Sequence, residues 1–170
     1  MNLKMPALKA CLEAAGLSDV RTLLSSGNAV FSARRTSTAA LERRIETAMR
    51  ERLDRVFMVM VRGEELLMAL VASDPYRAFR LGADAKRIVT FLRSAPGSAP
   101  KLPIELHGAR LLCLRGTEVL GAYVASPSGP VFMSLIEKTF GRNVTTRTWD
   151  TVRKVSASLQ ATERPPASRR

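Results

Sequence analysis

Apolar residues in the early part of the chain fall at two spacings. Met5, Leu8, Cys11, Leu12 and Ala15 recur at helical intervals, with Pro6 suited to a first turn and Gly16 to a stop. Val20 to Leu24 and Asn28 to Ser32 read as two strands around a turn at Ser25-Ser26-Gly27. The polar segment Arg34 to Thr38 then offers N-caps for a second helix running to about Leu53. Leu41, Ile45, Ala48 and Met49 mark its inner face, and Arg43, Arg44, Glu46, Arg50 and Glu51 its solvated one. Val56 to Val61 is an unbroken apolar run suited to a buried strand, and Glu64 to Ala72 predicts a helix after Gly63. Helix, strand, strand, helix, strand is the order of a ferredoxin-like β-α-β-β-α-β unit without its first strand. That deficit leaves a sheet position uncovered, which a second copy of the chain could fill as a homodimer.

The later pattern is richer in strands. Ile88 to Leu92 predicts one, and Ser94 to Pro103, with Pro96, Gly97, Pro100 and Pro103, predicts a loop. Ala109 to Leu114 and Val119 to Val124 flank a turn at Arg115 to Glu118. Ser126-Pro127-Ser128-Gly129-Pro130 opens a helix bearing Phe132, Leu135, Ile136 and Phe140 on one side, stopped by Gly141. Asn143 to Thr148 reads as extended, and Thr148 as the cap of a last helix through Trp149, Val152, Val155 and Leu159. The expected fold is α+β in two sequential subdomains, residues 1–80 and 87–160, followed by a disordered basic tail over 161–170.

Composition changes this picture little. No apolar run approaches the roughly 20 residues that cross a membrane, and the first residues show no signal-peptide pattern, so a cytoplasmic protein is expected. Cys11 and Cys113 each sit among apolar residues, as inert core thiols do. The formal charge is +12, from 27 Lys and Arg against 15 Asp and Glu. Arginines outnumber lysines 21 to 6 and are spread along the chain, so the charge gives only weak, salt-sensitive attraction to phosphate backbones. Nucleic acid is therefore a weakly supported partner. With His107 as the one histidine, no histidine-based metal cluster can form, and no Walker loop or Gly-x-Ser-x-Gly elbow is present. Neither a metal nor a cofactor is expected.

Three segments carry a resemblance: Asn2-Leu3-Lys4-Met5, Leu24-Ser25-Ser26-Gly27-Asn28-Ala29-Val30-Phe31 and Thr145-Thr146-Arg147-Thr148-Trp149-Asp150-Thr151-Val152. In this order they resemble the bacterial family called domain of unknown function 1697, over roughly residues 2–160. The family pattern places a strand and a glycine-rich segment ahead of the stretch matching Asn2 to Met5. The resemblance thus implies an N-terminally truncated member. It implies the α+β fold and no particular activity.

Two polar segments are candidate sites. Ser26, Gly27 and Asn28 can form a concave nest of amides, although the same residues make ordinary turns. Arg142, Thr145, Thr146, Arg147 and Trp149 combine hydroxyls, guanidinium groups and a helix N-terminus that together suit a phosphate or carboxylate. From residue 126 to 160 five cations face only Glu137 and Asp150. The leading expectation is a non-catalytic binding protein for a small anionic ligand. The alternatives are a weak nucleic-acid-binding module on the same basic surface, or an enzyme whose glycine-rich loop is missing from this N-terminus. No catalytic residue is assigned.

Overall fold

The computed structural model describes residues 4–125 and 129–160. The expected tail over 161–170, the start of the first quoted segment and Ser126 to Ser128 lie outside the described residues. The fold is α+β, with antiparallel sheets and five α-helices among the described residues. The chain divides into two compact units: residues up to Met68 together with those from Arg153 onward, and residues Ala69–Val152. Compared with the expected division near residue 80, the break falls earlier, and the C-terminal residues return to the first unit.

In the first unit, α1 (Met5–Ala14) starts on Pro6 and ends before Gly16, whose φ is +74°. Strands β1 (Ser18–Leu23) and β2 (Asn28–Ser32) pair as an antiparallel hairpin. Helix α2 (Thr38–Arg52) is capped by Ser37, whose hydroxyl accepts from the Ala40 N–H at 3.2 Å. Leu8, Cys11, Leu12, Val20, Leu41, Ile45 and Met49 form one buried cluster from these elements. Arg21 of the hairpin donates to the Ser158 carbonyl at 2.8 Å, a tie between the N-terminal and C-terminal parts of this unit.

The expected strand over Val56 to Val61 is corrected: among the described residues it pairs with no strand, and the first unit's sheet consists of β1 and β2. The side-chain alternation of a strand nonetheless persists. Phe57 and Val59 pack on the cluster and Val61 is buried within it, whereas Val56 and Met58 are exposed. What is absent is a partner for the backbone. Helix α2 supplies one instead: Glu42 accepts from the Val61 N–H at 2.9 Å, and Glu46 from the Val59 N–H at 3.2 Å. Two carboxylates one helical turn apart satisfy two alternate amides. Among the described residues, the first unit thus shows two strands of the ferredoxin-like sheet expected from element order.

The second unit begins within α3 (Glu64–Ala72), followed by a short 3₁₀ turn, Pro75–Ala78. Its sheet has the order β4-β5-β6-β3-β7, every neighbour antiparallel. The strands are β3 (Lys86–Leu92), β4 (Ile104–Leu106), β5 (Ala109–Arg115), β6 (Glu118–Tyr123) and β7 (Val144–Thr148). Helix α4 (Val131–Phe140) covers one face, where Phe132, Leu135 and Ile136 pack on Ile88, Leu92, Leu111 and Val119. Helix α5 (Trp149–Gln160) follows β7 directly.

One buried group in this core lacks a partner. Thr90 is fully buried in the middle of β3, between Val119 and Thr146 in register, and its Oγ1 makes no hydrogen bond. An unpaired buried hydroxyl costs free energy that an isosteric methyl would not. Thr90→Val is expected to raise stability by about 1 kcal/mol in denaturant unfolding. A loss of similar size would show that the hydroxyl has a partner in solution.

Candidate functional site

A cavity of about 400 Å³ opens in the second unit, within the range of small-molecule sites. Its floor is sheet: Ile88 of β3, Ala109 of β5, Tyr123 of β6, and Thr146 to Thr148 of β7. Its walls are the start of α4, from Gly129 to Met133, and His107. Tyr123 and Phe132 stand together, ring centroids 5.7 Å apart and planes tilted by 34°.

Backbone geometry explains several of these placements. His107 and Gly108 form the two-residue turn between β4 and β5, with φ of +45° and +81°. Both angles are positive, as a type I′ hairpin turn demands, and the turn places His107 at the cavity wall. Gly121 of β6 is required by Phe132: a Cβ there would lie 2.6 Å from Phe132 Cε2 and 3.0 Å from the Arg110 carbonyl oxygen. The absent side chain lets the Phe132 ring lie against the strand.

Strand alternation then sorts the expected residues on β7. Thr146 faces α4, and its hydroxyl reaches Met133 Sδ at 3.8 Å. Thr148 shares that face; its Oγ1 accepts from the Thr151 N–H at 3.2 Å, capping α5 as expected. Thr145 and Arg147 occupy the other face. Arg147 borders the cavity, yet its Nη1 donates to Thr145 Oγ1 at 3.0 Å and to the Thr146 carbonyl at 2.7 Å. Burial pulls its pKa below the ordinary arginine value. Trp149 is buried, edge-on to Tyr76 with centroids 5.3 Å apart. Tyr76 in turn donates its hydroxyl to the Ile88 carbonyl at 2.6 Å, and burial raises its pKa.

The remaining expected residues lie elsewhere. Arg142 is highly exposed and pairs with Glu137 at 3.7 Å, outside the cavity lining. Ser26, Gly27 and Asn28 belong to the first unit's hairpin. There the Asn28 amide donates to Ser26 Oγ at 2.9 Å and to the Leu23 carbonyl at 3.4 Å, across a turn in which Gly27 has φ +77°. The structure thus gathers Thr146 and Arg147 at one cavity, whereas Arg142, Thr145, Trp149 and the Ser26–Asn28 turn are not among its lining.

Sequence reasoning missed His107, Tyr123, Phe132 and Met133. His107 reads as a turn or surface imidazole, Tyr123 as part of a strand and Phe132 as the packing side of a helix, while the pattern does not single out Met133. A second cation was missed as well. Lys86 pairs in register with Tyr123, and its Nζ lies 5.8 Å from that ring's centroid. Lys86 is exposed and by strand alternation shares the face of Ile88; it is not itself among the lining residues but stands beside Tyr123, which is. Among the described residues, the cavity lining contains no carboxylate. Both cysteines are free, Cys11 buried and Cys113 half-buried, and burial raises both thiol pKa values. No described helix is long and apolar enough to cross a membrane.

Comparison with known proteins places the chain. Residues 1–105 match the family described as "Protein of unknown function (DUF1697)". No curated protein matches. Among solved structures, the conserved bacterial protein SP0830 from Streptococcus pneumoniae superposes with a TM-score of 0.67 at 20% identity, covering 94% of this chain and 90% of that one. At that identity the likeness establishes the fold. On the family match, which spans more than half of its residues, the chain belongs to the DUF1697 family of proteins of unknown function.

Proposed function

We propose that this chain is a non-catalytic binding protein for a small anionic molecule, held in the second unit's cavity. The observation that carries this reading is the electrostatic character of the lining. The first turn of α4, which holds no acidic residue, and the Thr148 cap of α5 both border the cavity, and the start of α4 presents positive potential. No Asp or Glu is among the described lining residues, Asp150 in the first turn of α5 lying outside them, while Thr146, Thr148 and His107 offer polar contacts. The apolar remainder suits a ligand with a sizeable hydrophobic body.

The test is thermal unfolding of the purified chain against a panel of small carboxylates and phosphates, repeated on Met133→Trp. Met133 is exposed at the cavity wall, so an indole there fills the opening with little cost to the core. A binding anion at 100 times its Kd stabilises by about 2.7 kcal/mol, and the Trp variant is expected to lose that gain. Equal stabilisation of both proteins would place anion binding outside the cavity and end this reading.

A further inference from the structure

We infer that the ligand of this cavity is a planar aromatic acid, its ring against Tyr123 and Phe132 and its anionic group paired with Lys86. This inference rests on the binding reading above and goes beyond it in naming the ligand class and a specificity-determining residue.

The ring preference follows from the walls. Tyr123 and Phe132 present two neighbouring aromatic rings to the cavity, at 5.7 Å and 34°. Offset and edge-to-face contacts favour a third flat ring over a branched aliphatic body of equal area. Gly121 shows that the ring position is built: the strand surrenders a side chain so that Phe132 can lie there. A cavity of about 400 Å³ accommodates one or two fused rings with a carboxylate.

The choice of Lys86 follows from the state of the two cations. The Arg147 guanidinium is engaged by Thr145 and by its own strand. Lys86 has no carboxylate partner among the described residues; its recorded contact is with the Tyr123 ring. That contact holds the ammonium beside a ring of the cavity wall, where a carboxylate on a stacked ligand would meet it. A lysine serves as a point charge, which suits a single carboxylate without demanding fork geometry.

The experiment measures binding of 2-naphthoate and its neutral isostere 2-naphthamide to the full chain, to Lys86→Gln and to Tyr123→Leu. Naphthoate is expected to bind the parent protein at least tenfold more tightly than naphthamide. Lys86→Gln, a surface change, should erase that difference by weakening naphthoate alone, whereas Tyr123→Leu should weaken both probes. Circular dichroism on each variant confirms that it is folded. Equal affinity for acid and amide, or an unchanged preference in Lys86→Gln, overturns the inference while leaving a cavity ligand in place. Failure of both probes where an aliphatic carboxylate or inorganic phosphate stabilises the parent but not Met133→Trp overturns the aromatic class alone. If no anion distinguishes parent from Met133→Trp, the binding reading itself has failed.

Discussion

Gly121→Ala is expected to destabilise the chain by about 1–3 kcal/mol, the usual range for overpacking a dense core. The new Cβ would lie 2.6 and 2.8 Å from two Phe132 ring carbons, closer than real contacts permit. The other close neighbour is the Arg110 carbonyl oxygen at 3.0 Å, a backbone atom in the paired strand β5, so relief must come from the ring. In a chain of this length each kcal/mol lowers Tm by about 2–4 °C. Phe132 is buried, so its displacement disturbs Leu135 and Ile136 on the same helix and reshapes the cavity. Phe132→Leu on the Gly121→Ala background should recover part of the loss, a coupling that a double-mutant cycle measures. Wild-type stability for Gly121→Ala would mean that the ring has slack and that the tight contact carries no energy.

The second large effect is expected at Glu42. Its side chain is 3% exposed, and its carboxylate holds the Val61 N–H in a segment with no strand partner. Glu42→Ala removes the acceptor and leaves a buried amide unsatisfied, a loss of about 2–3 kcal/mol. Glu42→Gln keeps a side-chain oxygen and should lose less. Hydrogen exchange gives the sharper reading: the Val61 amide should exchange faster in Glu42→Ala by more than the global destabilisation explains. Equal exchange in parent and variant would mean that another group protects this amide.

These two sites mark where local pattern was and was not sufficient. Helices and hairpins were legible because residues of fixed conformational meaning bound them: Pro6 and Gly16 around α1, Ser37 before α2, Gly116 between β5 and β6, and Gly141 after α4. Val56 to Val61 misled because a strand is a relation between two backbones. Its apolar alternation was real and is preserved in burial, but the Val59 and Val61 amides go to Glu46, read as part of a charged helix face, and to Glu42, which that reading did not include. The three-residue β4, behind Pro103 and partly exposed, carried too little pattern to register.

The candidate site was half legible for a related reason. Thr146 and Arg147 stood out as polar residues before a helix, and both reach the cavity. Strand periodicity then separates them, placing Thr146 toward α4 and the Arg147 guanidinium with Thr145 on the opposite face. Arg142 looked equivalent in sequence but sits between α4 and β7, paired with Glu137. Lys86 is far in the chain from Tyr123 and Phe132, and only the pairing of β3 with β6 and the packing of α4 gathers the three.

The most direct measurement is a nitrogen–proton correlation NMR titration of the whole chain with the best-stabilising small anion. The predicted result is saturable shifts concentrated on His107, Tyr123, Phe132, Met133, Thr146 and Thr148, with the Ser26–Asn28 turn and the outer face of α2 unmoved. Shifts spread over the arginine-bearing surface, growing linearly with anion and fading with added salt, would contradict it.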